Sequence, residues 1–138
     1  MRTTTKSESI PVRTSAEVVS VRHLTRKWAV ELAFTLVEQT KIVTAASELG
    51  RNMVDYGRGG TFTVEVLEEG GRKGLRLTFE DHGPGIADLD AAMRDGFTTG
   101  SGMGLGLGGA KRLSNEFELR SVPGEGTRVA ITRWKGAA

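Results

Sequence analysis

The chain has 138 residues and a mass of 14.8 kDa, the size of one compact domain, and its 38% hydrophobic and 26% charged residues suit a globular protein. Nineteen basic and 17 acidic residues give a net charge of +2 and are interleaved along the chain, without the basic tract that tracks a phosphate backbone, so nucleic acid is not expected as a partner. The absence of cysteine excludes disulfides, thiolate nucleophiles and cysteine-ligated zinc, and His23 and His82 alone are too few for a histidine-rich metal site. No apolar stretch is long enough to span a bilayer, and MRTTTKSESIPV lacks the apolar core of a secretory signal, so a cytoplasmic protein without membrane contact is expected.

In chain order, Ser9 to Arg13 alternate in character and precede Thr14, Ser15 and Glu17, which have the chemistry of a helix N-terminus. A short strand leading into a helix over about 16–33 is predicted, with Val18, Val21, Leu24, Trp28 and Leu32 on one face. A second helix over about 37–56 carries Val37, Ile42, Ala45, Ala46, Leu49, Met53 and Val54 and stops at Gly57. From Gly60 the period changes to two. Phe62, Val64 and Val66 alternate with polar residues, Glu-Gly-Gly-Arg-Lys-Gly follows at 69–74, and Leu75, Leu77 and Phe79 make the return strand of a hairpin. A short helix over 88–94, a glycine-rich segment over 97–109, a helix over 110–113 and a closing hairpin over 117–122 and 127–134 complete the chain. This order predicts one domain over residues 1–138, an α/β (α+β) two-layer sandwich with helices on one face of a mixed, mostly antiparallel sheet; residues 1–8 and 136–138 are expected to be disordered.

Three segments look chemical. Glu48 and Asn52, four residues apart on a helix, share one face beside the buried stripe of Ala45, Leu49 and Met53. An amide oxygen can ligate a hard cation such as Mg, and a carboxylate can polarise a hydroxyl or water, although the pair alone also reads as a solvated polar face. Asp81-His-Gly-Pro-Gly85 ends a predicted strand; it is either an ordinary turn or a carboxylate that accepts from an exocyclic amine such as that of adenine. The third segment holds six glycines between Gly100 and Gly109, a density costly in any regular element. Exposed backbone N–H groups leading into a helix suit the phosphates of a nucleotide, yet the run is neither a Walker A loop nor a dinucleotide fingerprint.

In this order and spacing, the segments resemble the N, G1 and G2 boxes of the GHKL ATPase/kinase superfamily, which shares the Bergerat nucleotide-binding fold. Glu48-x-x-x-Asn52 matches the N box, Asp81-x-Gly83-x-Gly85 the G1 box, and Gly102-Met-Gly-Leu-Gly-Leu107 the G2 box, while Gly124-Glu-Gly-Thr127 resembles the motif that closes the adenine site. Across nearly the whole chain the likeness is to RsbT-type and anti-sigma-factor serine/threonine kinases of bacterial partner-switching pathways, carried also by Thr44 to Asn52, Asp95 to Thr99, and Ser121-Val-Pro-Gly-Glu-Gly-Thr127. The regular Gly-Met-Gly-Leu-Gly-Leu run is similar to that of sensor histidine kinases, but His23 has no dimerisation hairpin around it.

The resemblance implies ATP and Mg2+ as cofactors. Asn52 would ligate Mg, Asp81 would bind the adenine amine with Thr127 beside it, and Gly83 and Gly85 would shape that loop. Gly100, Gly102, Gly104, Leu105, Gly106 and Leu107 would form the lid over the phosphates, and Glu48 would be the catalytic base. The implied activity is phosphorylation of a STAS-domain antagonist protein. An alternative of another class is an anti-sigma factor or phosphatase-activating binder of the same fold, acting by sequestration; a detached ATPase domain is a third reading.

Overall fold

The computed structural model describes residues 1–93 and 106–137. Helix α1 (Ser15–Glu31) begins at Thr14, whose hydroxyl accepts from the Glu17 amide while Glu17 reaches back to the backbone of the cap. Helix α2 (Leu36–Asp55) opens on the same reciprocal box between Thr35 and Glu38. Each box satisfies amide groups that the first helical turn leaves without partners.

Around these helices lie five strands: β1 (Thr3–Val12), β2 (Gly60–Glu69), β3 (Arg72–Asp81), β4 (Glu116–Val122) and β5 (Gly126–Trp134). Two short helices, α3 (Leu89–Ala92) and α4 (Leu107–Arg112), fall between β3 and β4. The sheet order is β1-β2-β3-β5-β4 and all four pairings are antiparallel, so no parallel pair occurs among the described strands, against the mixed sheet expected. The connections explain this. Two helices, rather than one, separate β1 from β2 and return the chain to the end where β1 stopped, as the pairing of Val12 with Gly60 shows. β5 folds back from β4 and inserts between it and β3, opposed to both.

The period-two alternation decides which face of the sheet is covered. Phe62, Val64 and Val66 of β2 and Leu75, Leu77 and Phe79 of β3 pair across the strands, and the Phe62 and Phe79 rings lie 5.0 Å apart. With Val129 and Ile131 they pack against Val18, Val21 and Trp28 of α1 and Ile42, Ala45, Leu49 and Met53 of α2 in a single core cluster. The opposite face carries pairs such as Arg76–Glu65 (2.9 Å) and Ser9–Thr63 (2.8 Å), which need no apolar cover. The two-layer arrangement with helices on one face is therefore as expected, and no described helix is long and apolar enough to cross a membrane.

Two local expectations are corrected. Residues 3–8 are not disordered: they form the first part of β1, in register from Thr3 opposite Glu68. Their sequence hides this because an edge strand with nearly every side chain exposed shows no apolar alternation. Arg2 bridges Glu69 and Glu116, and Lys6 pairs with Glu31 at 3.0 Å while lying 4.1 Å from the centre of the Trp28 ring. Val37, placed on the apolar stripe of α2, is instead 62% exposed, and Glu38 is buried in its stead. Glu38 must turn inward to close the capping box, and its second oxygen accepts from the Gly136 amide at 2.7 Å. That bond, together with Arg133 donating to the Ala137 carbonyl, holds residues 136 and 137 against the domain, contrary to the disorder expected there; Ala138 lies outside the described residues.

Burial pushes the Glu38 carboxyl up, but the Thr35 and Gly136 amides, the Thr35 hydroxyl and Arg133 together hold it below its ordinary value of 4.5. A depressed carboxyl pKa stabilises the fold above the unfolded value, and that stabilisation is lost as the pH falls through the folded one. Glu38→Gln is therefore expected to lower the urea midpoint of unfolding at pH 7, and the gap from wild type should close as the pH is taken below about 4.5; a gap that stays constant to pH 3 would contradict the assignment.

Candidate nucleotide site

The site lies where β2, β3 and β5 end nearest the C-terminus of α2. Strand register sets its floor: Gly60 pairs with Asp81, Asp81 with Thr127, and Thr127 with Ser121, so one row of residues crosses four strands at the rim of the sheet, with side chains from three of them. Above that row stands the last part of α2, one turn of which separates Asn52 from Tyr56. A small cleft, partly open to solvent, lies between the two layers. Leu49, Met53, Phe79, Ile86, Leu107 and Val129 make it apolar, and Asn52, Tyr56, Asp81 and Thr127 supply its polar groups. An apolar cleft with a few convergent polar groups is the usual form of a small-molecule site.

Asp81 is the most constrained of these. Its Oδ1 accepts from the Gly83 amide at 2.9 Å and the Thr127 amide at 3.3 Å, which leaves Oδ2 without a protein donor among the described residues. Burial raises the carboxyl pKa above its ordinary value, although the two amides and His82 pull the other way. The carboxylate fits beneath the end of α2 because Gly57 has no side chain: a Cβ there would collide with Asp81 Oδ2. Gly126 is needed for the same reason, since a Cβ would strike the Asp81 carbonyl, and its φ of +127° is one that L side chains rarely adopt. Gly83 serves through its amide, and Gly85 (φ +75°) turns the loop against the backbone of Val122.

Asn52 and Glu48 arrive together, as their spacing on α2 requires. Asn52 Nδ2 is buried and, among the described residues, has no hydrogen-bond partner, a state that costs about 1–3 kcal/mol unless something else satisfies it. Because Asn52 lines the cleft, a bound group is the natural partner. Glu48 is more exposed: it sits at the rim, 3.7 Å from Arg51, with Oε2 beside Gly106, where an added Cβ would lie only 2.9 Å away. Gly106 (φ +63°) opens α4, and Leu107 buries its side chain in the cleft wall. The structure thus brings together Glu48, Asn52, Asp81, Gly83, Gly85, Gly106, Leu107 and Thr127. Gly100, Gly102, Gly104 and Leu105 lie outside the described residues.

Two contributors escaped the sequence reading. Gly57 passed as a helix stop, and only the close approach of Asp81 reveals its role. Ser121 stood inside a recognised motif without a task, yet its hydroxyl touches the Ile86 amide, the Gly126 carbonyl and the Thr127 hydroxyl.

The cleft fits a small-molecule site, and comparison with known proteins shows the family. Residues 37–136 match the family described as histidine kinase-, DNA gyrase B-, and HSP90-like ATPase. The chain is 45% identical over 125 residues to the serine/threonine-protein kinase RsbT of Bacillus subtilis, covering 91% of this chain and 94% of that one. It is 30% identical over 122 residues to an anti-sigma F factor of Thermoanaerobacter sp., covering 84% of each. Among solved structures, the RsbU and RsbW domains of a Mycobacterium tuberculosis protein superpose with a TM-score of 0.65 at 22% identity, covering 97% of this chain and 34% of that one, which supports the fold. The chain belongs to the histidine kinase-, DNA gyrase B- and HSP90-like ATPase family, the GHKL family whose boxes it carries. Within it, the chain is an enzyme of the serine/threonine protein kinase class.

Substituting Gly57→Ala should displace the Asp81 carboxylate and weaken ATP binding by at least about tenfold, the loss expected when a charged group's hydrogen bond is misplaced. Titration calorimetry checks this, and unchanged affinity would show that Asp81 is not held by the room Gly57 leaves.

Proposed function

We propose that the protein transfers the γ-phosphoryl group of Mg-ATP to a serine or threonine of a STAS-domain antagonist protein, in a cytoplasmic partner-switching pathway that controls a sigma factor. The observation that carries the nucleotide part is the convergence of Asp81, Thr127 and Asn52 on one apolar cleft, with Glu48 one turn from Asn52 and beside Gly106.

Asp81 Oδ2 and Thr127 face the adenine edge, and the apolar walls from Phe79, Ile86, Leu107 and Val129 take the ring. Asn52 would hold Mg2+ through its amide oxygen, and its Nδ2, without a partner among the described residues, would be left to donate to a phosphate oxygen. Bound there, Mg2+ supplies charge neutralisation on the phosphates. By the family resemblance, the glycine-rich segment with Gly100, Gly102, Gly104 and Leu105 would offer backbone amides to the same charge. Glu48, exposed toward solvent, takes the proton of the incoming hydroxyl as its oxygen bonds to the γ-phosphorus. The bond from that phosphorus to the oxygen bridging it to the β-phosphate breaks, and ADP leaves. Positioning and electrostatics carry most of such a reaction, and little covalent work falls to the protein.

The likeness to anti-sigma F factors supports a second reading, in which the chain also holds a sigma factor by direct binding. Capture of a sigma factor by the purified chain favours it, and capture of a STAS-domain protein or a phosphatase favours the first.

Two variants separate binding from transfer. Glu48→Gln should leave ATP affinity within about twofold and lower the rate of phosphate transfer by 10²–10⁴, roughly the contribution of a general base. Wild-type transfer in that variant would remove Glu48 from its role. Asp81→Asn, which turns an acceptor into a partial donor, should weaken ATP binding by roughly tenfold or more, and equal affinity would argue against the adenine contact.

A further inference from the structure

Ser121 sits on the edge strand β4, on the far side of β5 from Asp81, yet it makes three polar contacts at the end of the cleft. The Ile86 amide donates to its Oγ at 2.7 Å, its Oγ donates to the Gly126 carbonyl at 3.1 Å, and the Thr127 hydroxyl lies 2.9 Å away. In the last of these contacts either oxygen could carry the proton.

The other two contacts decide the direction. An amide N–H can only donate and a carbonyl oxygen can only accept, whereas a serine hydroxyl has one proton and two lone pairs. The Gly126 carbonyl takes that proton and the Ile86 amide occupies one lone pair. What remains on Ser121 is a single lone pair, so the Thr127 hydroxyl must donate to it. If Ser121 instead donated to Thr127, two proton-free oxygens would face each other at 3.1 Å.

We infer that Ser121 is a specificity-determining positioning residue: by taking the Thr127 hydroxyl proton, it makes Thr127 an obligate acceptor toward the ligand in the cleft. Asp81 Oδ2 beside it is also an acceptor. Two acceptors in one row fit an exocyclic amine, which offers two N–H donors, and repel the carbonyl oxygen that guanine carries at the same position. A threonine hydroxyl free to rotate would serve either base, because it could donate to the guanine carbonyl. Base discrimination is thereby placed partly on a residue of β4 that lines the groove behind the site rather than the adenine cleft itself. The inference rests on the reading of the cleft as an adenine site and deepens it.

The test compares ATP and GTP affinities of the full chain by titration calorimetry in wild type, Ser121→Ala, Ser121→Thr, Thr127→Val and the Ser121→Ala/Thr127→Val double variant. Ser121→Ala should narrow the preference for ATP by roughly three- to tenfold, the value of one neutral hydrogen bond, with GTP binding gaining as ATP binding weakens. Ser121→Thr keeps the hydroxyl and should keep the wild-type preference. In the Thr127→Val background, Ser121→Ala should change the preference no further, because the proton it controls is gone. Should the alanine variant fail to fold, Ser121→Cys, nearly isosteric with a weak donor, reads the same narrowing. An unchanged ATP-to-GTP ratio in Ser121→Ala, or a narrowing that persists without the Thr127 hydroxyl, would overturn the inference alone. A wild-type protein with no preference for ATP would overturn the adenine reading and this inference with it.

Discussion

The burial of one carboxylate organises this molecule's functional end. Asp81 closes strand β3 in a position where desolvation raises its pKa, and it is held there by the amides of Gly83 and Thr127. Each of those amides belongs to a different segment, one in the loop that follows β3 and one in β5, so the hydrogen bonds that steady the carboxylate also fix the loop to the sheet. The requirement propagates outward. Gly57 has to be small so that α2 can end over the carboxylate, and Gly126 has to be bare so that β5 can approach the Asp81 carbonyl. The carboxylate is half-buried, and the two amides supply hydrogen bonds that replace part of its lost hydration.

The rest of the fold delivers groups to this point. Two helices with matching capping boxes lie over the apolar face of an antiparallel sheet, and the second ends one residue before Tyr56, where the cleft begins. Because α2 packs through Ile42, Ala45, Leu49 and Met53, the adjoining stripe with Glu48 and Asn52 lies along the edge of the core. Asn52 is thus placed in the cleft with an amide nitrogen that has no partner among the described residues, and Glu48, one turn earlier, is partly exposed. In the proposed reading, binding and transfer would be divided between these two residues, four positions apart on one helix. The other end of α2 is fastened through Glu38 to the C-terminal residues.

Much of this was readable from residue order alone. The helical period of α1 and α2, the hairpin of β2 and β3, and the four-residue spacing of Glu48 and Asn52 express local rules that survive in the sequence, whereas Asp81 and Thr127, 46 positions apart, are joined to them only by the family resemblance. The features that escaped are those in which distant segments meet. β1 starts at Thr3 because β2 offers it hydrogen bonds, and no apolar alternation in Thr3 to Glu8 records that. Val37 and Glu38 exchange places because a cap and the residues around Gly136 both call on Glu38. Ser121 reads as one more polar residue in a turn motif until the register sets it in line with Thr127 and Asp81.

The central claim is that this site passes phosphate to a protein hydroxyl, and the most direct measurement is to incubate the chain with γ-labelled ATP, Mg2+ and candidate STAS-domain proteins, then characterise the labelled product. The account predicts label on one such protein as an acid-stable, alkali-labile ester of serine or threonine. Label released only as inorganic phosphate, or held as an acid-labile phosphohistidine, would contradict it.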